Sequence, residues 1–278
     1  MSGWLTVRRG SVPLVLSIPH AGTEIPAEME SRLVSPWLGR KDTDWWVDRL
    51  YDCANSSGTT IIRTSISRTV IDVNRYPSGA SLYPGQATTE LCPTTTFDGE
   101  RLYQSGQEPD AAEIERRKDR WFMPYHEALS VELQRLLDEH GQVVLYDGHS
   151  IRSSVPRLFD GILPHFNIGT NDGASCSPEL TAEVEAACDT TSFTRVTNGR
   201  FRGGFITRQY GQPAKGVHAI QMELACRGYL RESVGPVDET NWPPPFDDAY
   251  AAPMVAAISA ILQACVRFAA SNSRGALR

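Results

Sequence analysis

The stretch DEHGQVVLYDGHS, Asp138 to Ser150, passes from a helical pattern into an apolar, β-branched run through a single glycine, and it ends on polar residues around His149. Upstream, Asp110 with Glu113 three residues on makes a capping-box-like start. Ile114, Trp121, Tyr125, Leu129, Val131 or Leu133, and Leu136 then recur at helical spacing, which predicts one long helix from Asp110 to His140 with Gly141 as its stop. Gln142–Tyr146 reads as a buried strand whose carboxyl end delivers Asp147-Gly148-His149-Ser150. Working outward, Val12–Ile18, Thr59–Ile66, Thr69–Val73 and Val217–Leu224 also read as strands. Asp44–Ala54, opened by the acidic KDTD run and closed by Asn55-Ser-Ser-Gly58, reads as a helix. Strands and helices in alternation predict an α/β fold: three layers, α/β/α, around a mixed, largely parallel central sheet.

Residues 76–107 are rich in Gly, Pro, Ser and Thr without a period and read as a long loop; 167–177 read as a second irregular stretch. No repeat or linker divides the sequence, so residues 1–278 are expected to form a single domain.

Of the 278 residues 41% are hydrophobic and 22% charged, enough apolar side chain for a sizeable core, which excludes a mainly disordered chain. Lys+Arg of 27 against Asp+Glu of 33 give a formal charge of -6, which argues against nucleic acid or an anionic membrane as partner. The start, MSGWLTVRRG, lacks the apolar run of a secretory signal and points to the cytoplasm. Residues 249–266 carry no charge, yet Pro253, Ser259 and Gln263 interrupt them while Met254, Ile258, Ile261, Cys265 and Phe268 recur at helical spacing. A C-terminal packing helix around 247–270 is therefore expected rather than a membrane span. The six cysteines form no C-x-x-C pair and read as reduced thiols.

Ligands of open α/β sheets bind beyond the carboxyl ends of the strands. Those ends carry PHAGTE (Pro19–Glu24), DGHS (Asp147–Ser150) and QME (Gln221–Glu223). His20 and His149 with nearby carboxylates suit a divalent metal such as zinc, which takes imidazole nitrogen and carboxylate oxygen. His126, His140, His165 and His218 fit core or surface roles better. The carboxylate ligand is open between Glu24, in the loop of His20, and Asp44, which could equally cap the following helix. Ser67–Arg75 sets Arg68 and Arg75 about a short apolar segment, with Asn74 beside the second. Guanidinium groups there could hold a carboxylate or an oxyanion, or merely pair with Asp72. Gly203-Gly204 implies a tight turn or a close backbone approach to a ligand. Glu223, alone in an apolar strand, either pairs with Arg227 or serves as a general base with a raised pKa. There is no H-E-x-x-H, P-loop or G-x-G-x-x-G, and Arg152 stands where a nucleophile elbow around Ser150 needs its last glycine, so a serine hydrolase is the weaker reading.

The series IPHAGTEIP, DTDWWVDRL, SRTVIDVNR, YDGHSI, GGFITRQYGQP and HAIQMELACRGYL, running from about Pro13 to Leu230, resembles the N-formylglutamate amidohydrolases, also called N-formylglutamate deformylases. The resemblance implies a distant branch of the zinc carboxypeptidase and aspartoacylase group, with a phosphorylase/hydrolase-like fold. It further implies one divalent ion, zinc, on His20, Asp44 and His149, although the group's H-x-x-E is absent because Glu24 stands four residues after His20. By the same resemblance Arg68 stabilises the oxyanion, Asn74 and Arg75 hold a substrate carboxylate, and Glu223 is the general base; Arg208 or Arg227 is then the candidate for a second carboxylate. The implied activity is release of formate from N-formyl-L-glutamate in cytoplasmic histidine degradation, with a small dicarboxylate N-acyl amino acid as partner. Another zinc-dependent deacylase or carboxypeptidase-like peptidase is the nearest alternative, and a non-catalytic carboxylate-binding protein is the alternative of another class.

Overall fold

Residues of period two build the sheet. Leu14, Leu16 and Ile18 enter one apolar cluster with Val144, Tyr146, Ile220 and Met222. Their neighbours Val15, Val143, Leu145 and Ala219 enter a second cluster on the other face. With both faces buried, parallel pairing is favoured. The computed structural model describes residues 3–81, 85, 87–233 and 235–272, so positions 82–84 and 86 of the 76–107 loop lie outside the described residues.

In chain order the elements are β1 (Leu5–Arg8), β2 (Leu14–Ile18), α1 (Ala27–Glu30), α2 (Val47–Leu50), β3 (Thr60–Thr64), α3 (Ala111–Arg117), α4 (Met123–His140) and β4 (Val143–Ile151). They continue with β5 (Phe166–Gly169), α5 (Pro178–Asp189), β6 (Arg195–Thr197), α6 (Phe205–Tyr210), β7 (Val217–Ala225) and α7 (Asp248–Asn272). The sheet order is β1-β3-β2-β4-β7-β5-β6. β2, β3, β4 and β7 run parallel, β5 and β6 are parallel to each other, and β1 and β5 pair antiparallel with β3 and β7. α2, α5 and α7 pack on the first cluster and α4 with α6 on the second, which completes a three-layer α/β/α architecture.

α7 has the length and composition of a membrane span. Its stripe Ala251, Met254, Ile258, Ile261, Cys265 and Phe268 is nevertheless buried against α5 and the sheet.

Several elements differ from the sequence expectation. The long helix starts as expected, with the Asp110 side chain accepting from the Glu113 N–H, and stops at Gly141 with φ 73°. Between α3 and α4, however, Lys118–Phe122 widens into a π-turn. Pro124, at the opening of α4, has no N–H for a continuous helix, which accounts for the break. Thr69–Val73 is not a strand: Val70 N–H bonds Ser67 O and Arg75 N–H bonds Asp72 O, so the segment folds into turns while Val70, Ile71 and Val73 stay buried. Asp44–Ala54 shortens to α2 and a 3₁₀ turn at Asp52–Ser56. β1, β5 and β6 are edge-side strands of three or four residues, too short to show a period, and β5 occupies the start of the stretch read as irregular. β4 runs on through Asp147 and His149 because β7 pairs with it as far as Ile151↔Ala225.

Candidate active site and metal centre

β2, β4 and β7 are adjacent and parallel, so their carboxyl ends share one sheet edge. His20 follows β2 by two residues, His149 lies in β4, and Glu223 on β7 is in register directly across from His149. Asp44 is sewn to both strands: its N–H donates to His20 O at 3.0 Å, and its Oδ2 accepts from the Ser150 N–H at 3.0 Å.

The result is a buried trio, His20, Asp44 and His149, each presenting one ligand atom within 4.8 Å of the others. The two Nδ1 atoms are 3.1 Å apart, and Asp44 Oδ2 is 3.2 Å from His149 Nδ1 and 3.7 Å from His20 Nδ1. Behind them His20 Nε2 meets Asp72 Oδ1 at 2.7 Å, and His149 Nε2 meets Asp147 Oδ2 at 2.8 Å. Each rear carboxylate accepts the Nε2 proton and so turns the Nδ1 lone pair toward the centre. Two imidazole lone pairs and a carboxylate oxygen facing one another repel unless a proton or a cation lies among them. Asp44, Asp72 and Asp147 surround this group with the guanidiniums of Arg68 and Arg75, and Glu223 stands across from His149 on β7. The donor set therefore fits a divalent metal. Glu24 is exposed and pairs its backbone with Ile66, away from the trio, which separates it from Asp44 as a candidate ligand.

Burial pushes the Glu223 carboxyl up to about 8; the His149 charge opposes the shift and Asp44 adds to it. For His149 burial works against the charged ring, but the carboxylates of Asp147 and Asp44 outweigh it and raise the pKa. Asp44 is held below the usual carboxylate range because bonds to His149 and His20 exceed the cost of burial. A dication among these groups would draw the Glu223 pKa back down. Glu223 makes no ion pair with Arg227 among the described residues.

Arg68 donates from Nη2 to Asp72 Oδ2 at 2.7 Å and from Nη1 to Asp44 Oδ1 at 3.4 Å, and its guanidinium stacks 4.8 Å from the Phe97 ring centroid. Arg75 lies 3.5 Å from Asp72 and donates to Thr89. Both line a cavity together with His20, Asn74, His149 and Glu223. Its enclosed interior is about 60 Å³ and opens to solvent.

Five further expected residues have these places. The Asn74 carboxamide is engaged at both ends: Nδ2 donates to Asp147 Oδ2 at 3.2 Å, beside the His149 ring, and Oδ1 accepts from the Ile206 N–H at 2.8 Å. Gly204 lines the cavity, but its close approach is to Asn74, since a Cβ would fall 2.4 Å from Nδ2. Gly203, with φ 112°, makes the turn beneath it and is not in the lining. Arg208, in α6, donates to Gly203 O, and the buried Nη1 of Arg227 has no hydrogen-bond partner among the described residues; neither arginine lines the cavity.

Asp72 and Asp147 were not singled out in the sequence as partners of the histidines, although a carboxylate within each apolar run was a readable signal. Arg200, which lines the cavity from the loop after β6, left no local signal because β6 itself was not legible. Parts of the predicted 76–107 loop, Thr88, Thr89 and Phe97, also line it.

The family model for N-formylglutamate amidohydrolase matches residues 12–230. An N-formylglutamate deformylase of Pseudomonas aeruginosa is 48% identical over 229 residues, covering 82% of this chain and 86% of its own length. One from Pseudomonas putida is 44% identical over 230 residues, with the same coverage. The crystal structure of an N-formylglutamate amidohydrolase from Ralstonia eutropha shares the fold, with a TM-score of 0.77, 24% identity and coverage of 98% of this chain and 99% of its own. The chain accordingly belongs to the N-formylglutamate amidohydrolase family.

Proposed function

We propose that this chain hydrolyses N-formyl-L-glutamate to formate and L-glutamate, with His20, Asp44 and His149 holding one divalent cation, zinc in our reading. The facing lone pairs of the two Nδ1 atoms and Asp44 Oδ2, each histidine backed by its own carboxylate, carry this reading. When bound, such a cation supplies Lewis-acid stabilisation of negative charge and lowers the pKa of water. Glu223, in register with His149, takes a proton from the attacking water. The water oxygen bonds to the formyl carbon, and the Arg68 guanidinium stabilises the oxyanion that develops on the carbonyl oxygen. The C–N bond then breaks as Glu223 returns the proton to the departing amine nitrogen, leaving formate and L-glutamate. Arg75 receives the substrate α-carboxylate, while Asn74, committed to Asp147 and Ile206, fixes the wall beside it. We place the reaction in cytoplasmic histidine degradation and assign it to residues 1–278 as one catalytic domain.

The test is formate release from a panel of N-formyl, N-acetyl and peptide substrates, with and without chelator. N-formyl-L-glutamate turned over only in the absence of chelator is the expected result. Equal turnover of acetylated or peptide substrates would instead favour the wider deacylase or peptidase reading.

A further inference from the structure

The expected second carboxylate ligands, Arg208 and Arg227, lie outside the cavity lining, but a different arginine lies within it. Arg200 follows the short strand β6, in a turn set by Asn198 with φ 53°. Its Nε donates to Leu158 O at 2.8 Å, its Nη2 donates to Ala87 O at 3.2 Å, and its guanidinium lies 5.3 Å from the Phe201 ring centroid. Ala87, Leu158 and Phe201 are themselves lining residues, so three loops converge to aim this cation at the cavity. Both of these bonds are to backbone carbonyl oxygens, which orient the guanidinium. Arg75, by contrast, belongs to the inner end, because Asp72 beside it at 3.5 Å is the carboxylate that receives His20. None of the contacts of Arg200 named above involves the histidines or their carboxylates.

We propose that Arg200 binds the side-chain carboxylate of the N-formyl amino acid and thereby selects a dicarboxylate substrate. The proposal rests on the deformylase reading and adds to it the residue that reads the end remote from the scissile amide. A planar fork suits a carboxylate and gains nothing comparable from a neutral carboxamide of the same shape.

The test compares N-formyl-L-glutamate, N-formyl-L-glutamine and N-formyl-L-norvaline on the metal-loaded wild type, Arg200→Met and Arg200→Lys. Metal content and Tm are measured alongside. A charge-assisted contact of this kind should give the wild type roughly a 10- to 100-fold preference in kcat/KM for the glutamate over the glutamine substrate. In Arg200→Met that ratio should collapse toward unity through a raised KM for N-formyl-L-glutamate, with the norvaline substrate changed less than about threefold. Arg200→Lys, which keeps the charge and loses the fork, should lie between, and it decides the matter if Arg200→Met does not fold. A wild type that does not distinguish the three substrates overturns the proposal while leaving the deformylase reading intact, and so does a ratio that either variant leaves unchanged. Absence of formate from all three with the wild type overturns both.

Discussion

The two ends of the cavity are built by different means. The histidine end is held by strands: His149 and Glu223 face each other across β4 and β7, and Asp44 is pinned by the backbone of His20 and Ser150. The other end is assembled from loops, with Arg200 tied to carbonyls at Leu158 and Ala87 and Phe97 anchored through its N–H to Asp42 Oδ2 at 2.6 Å. A ladder fixes relative positions to within a fraction of an ångström, which chemistry at one carbon atom requires. Loops adapt, which suits recognition of a substrate end whose position matters less.

That contrast can be broken experimentally, beginning with the largest effect. Glu223→Gln keeps the strand and removes the base, so kcat should fall by about 10² to 10⁴ with metal content unchanged; a variant with near-normal kcat removes Glu223 from the chemistry. A smaller effect concerns the support behind the wall. His126 joins Val73 O and the Tyr210 hydroxyl, each at 2.9 Å, and burial lowers its pKa from 6.5 to about 4. The unfolded chain therefore binds this proton more readily. The stabilisation is present in full above about pH 6.5 and is lost as the pH falls to about 4, by about 3 kcal/mol in all. Urea titrations across this range should show the loss for the wild type and a flatter profile for His126→Gln; identical slopes would contradict it. Smaller still is the effect of the carboxylate behind His149. Asp147→Asn should weaken metal binding by about 10- to 100-fold, read by competition with a chromogenic chelator, and unchanged affinity would mean that the strand alone orients the ring.

The difference between the two ends also explains what was legible in the sequence. Apolar runs ending in His20, His149 and Glu223 are local patterns, and parallel pairing brings such ends together whatever the connecting chain does. The core of the sheet, the two histidines and Glu223 are legible for that reason, whereas the residues alone leave the carboxylate ligand open between Glu24 and Asp44. Thr69–Val73 has the composition of a strand but is not one, because its apolar residues are buried by turns around Asp72 rather than by pairing. The role of Asn74 depends on α6 and β4, distant in sequence, and its commitment to the Ile206 N–H and to Asp147 was not visible. Arg200 was missed for the same physical reason: its place depends on three loops meeting, and no periodicity records that.

The central claim is that the strand-held trio is a catalytic metal centre. Its most direct test is to remove metal with a chelator, titrate zinc back, and follow formate release from N-formyl-L-glutamate beside the same titration of His149→Ala. Activity that is absent without metal, rises to a plateau at one equivalent per chain and does not return in His149→Ala is the predicted result. Full formate release by the metal-free protein would contradict it.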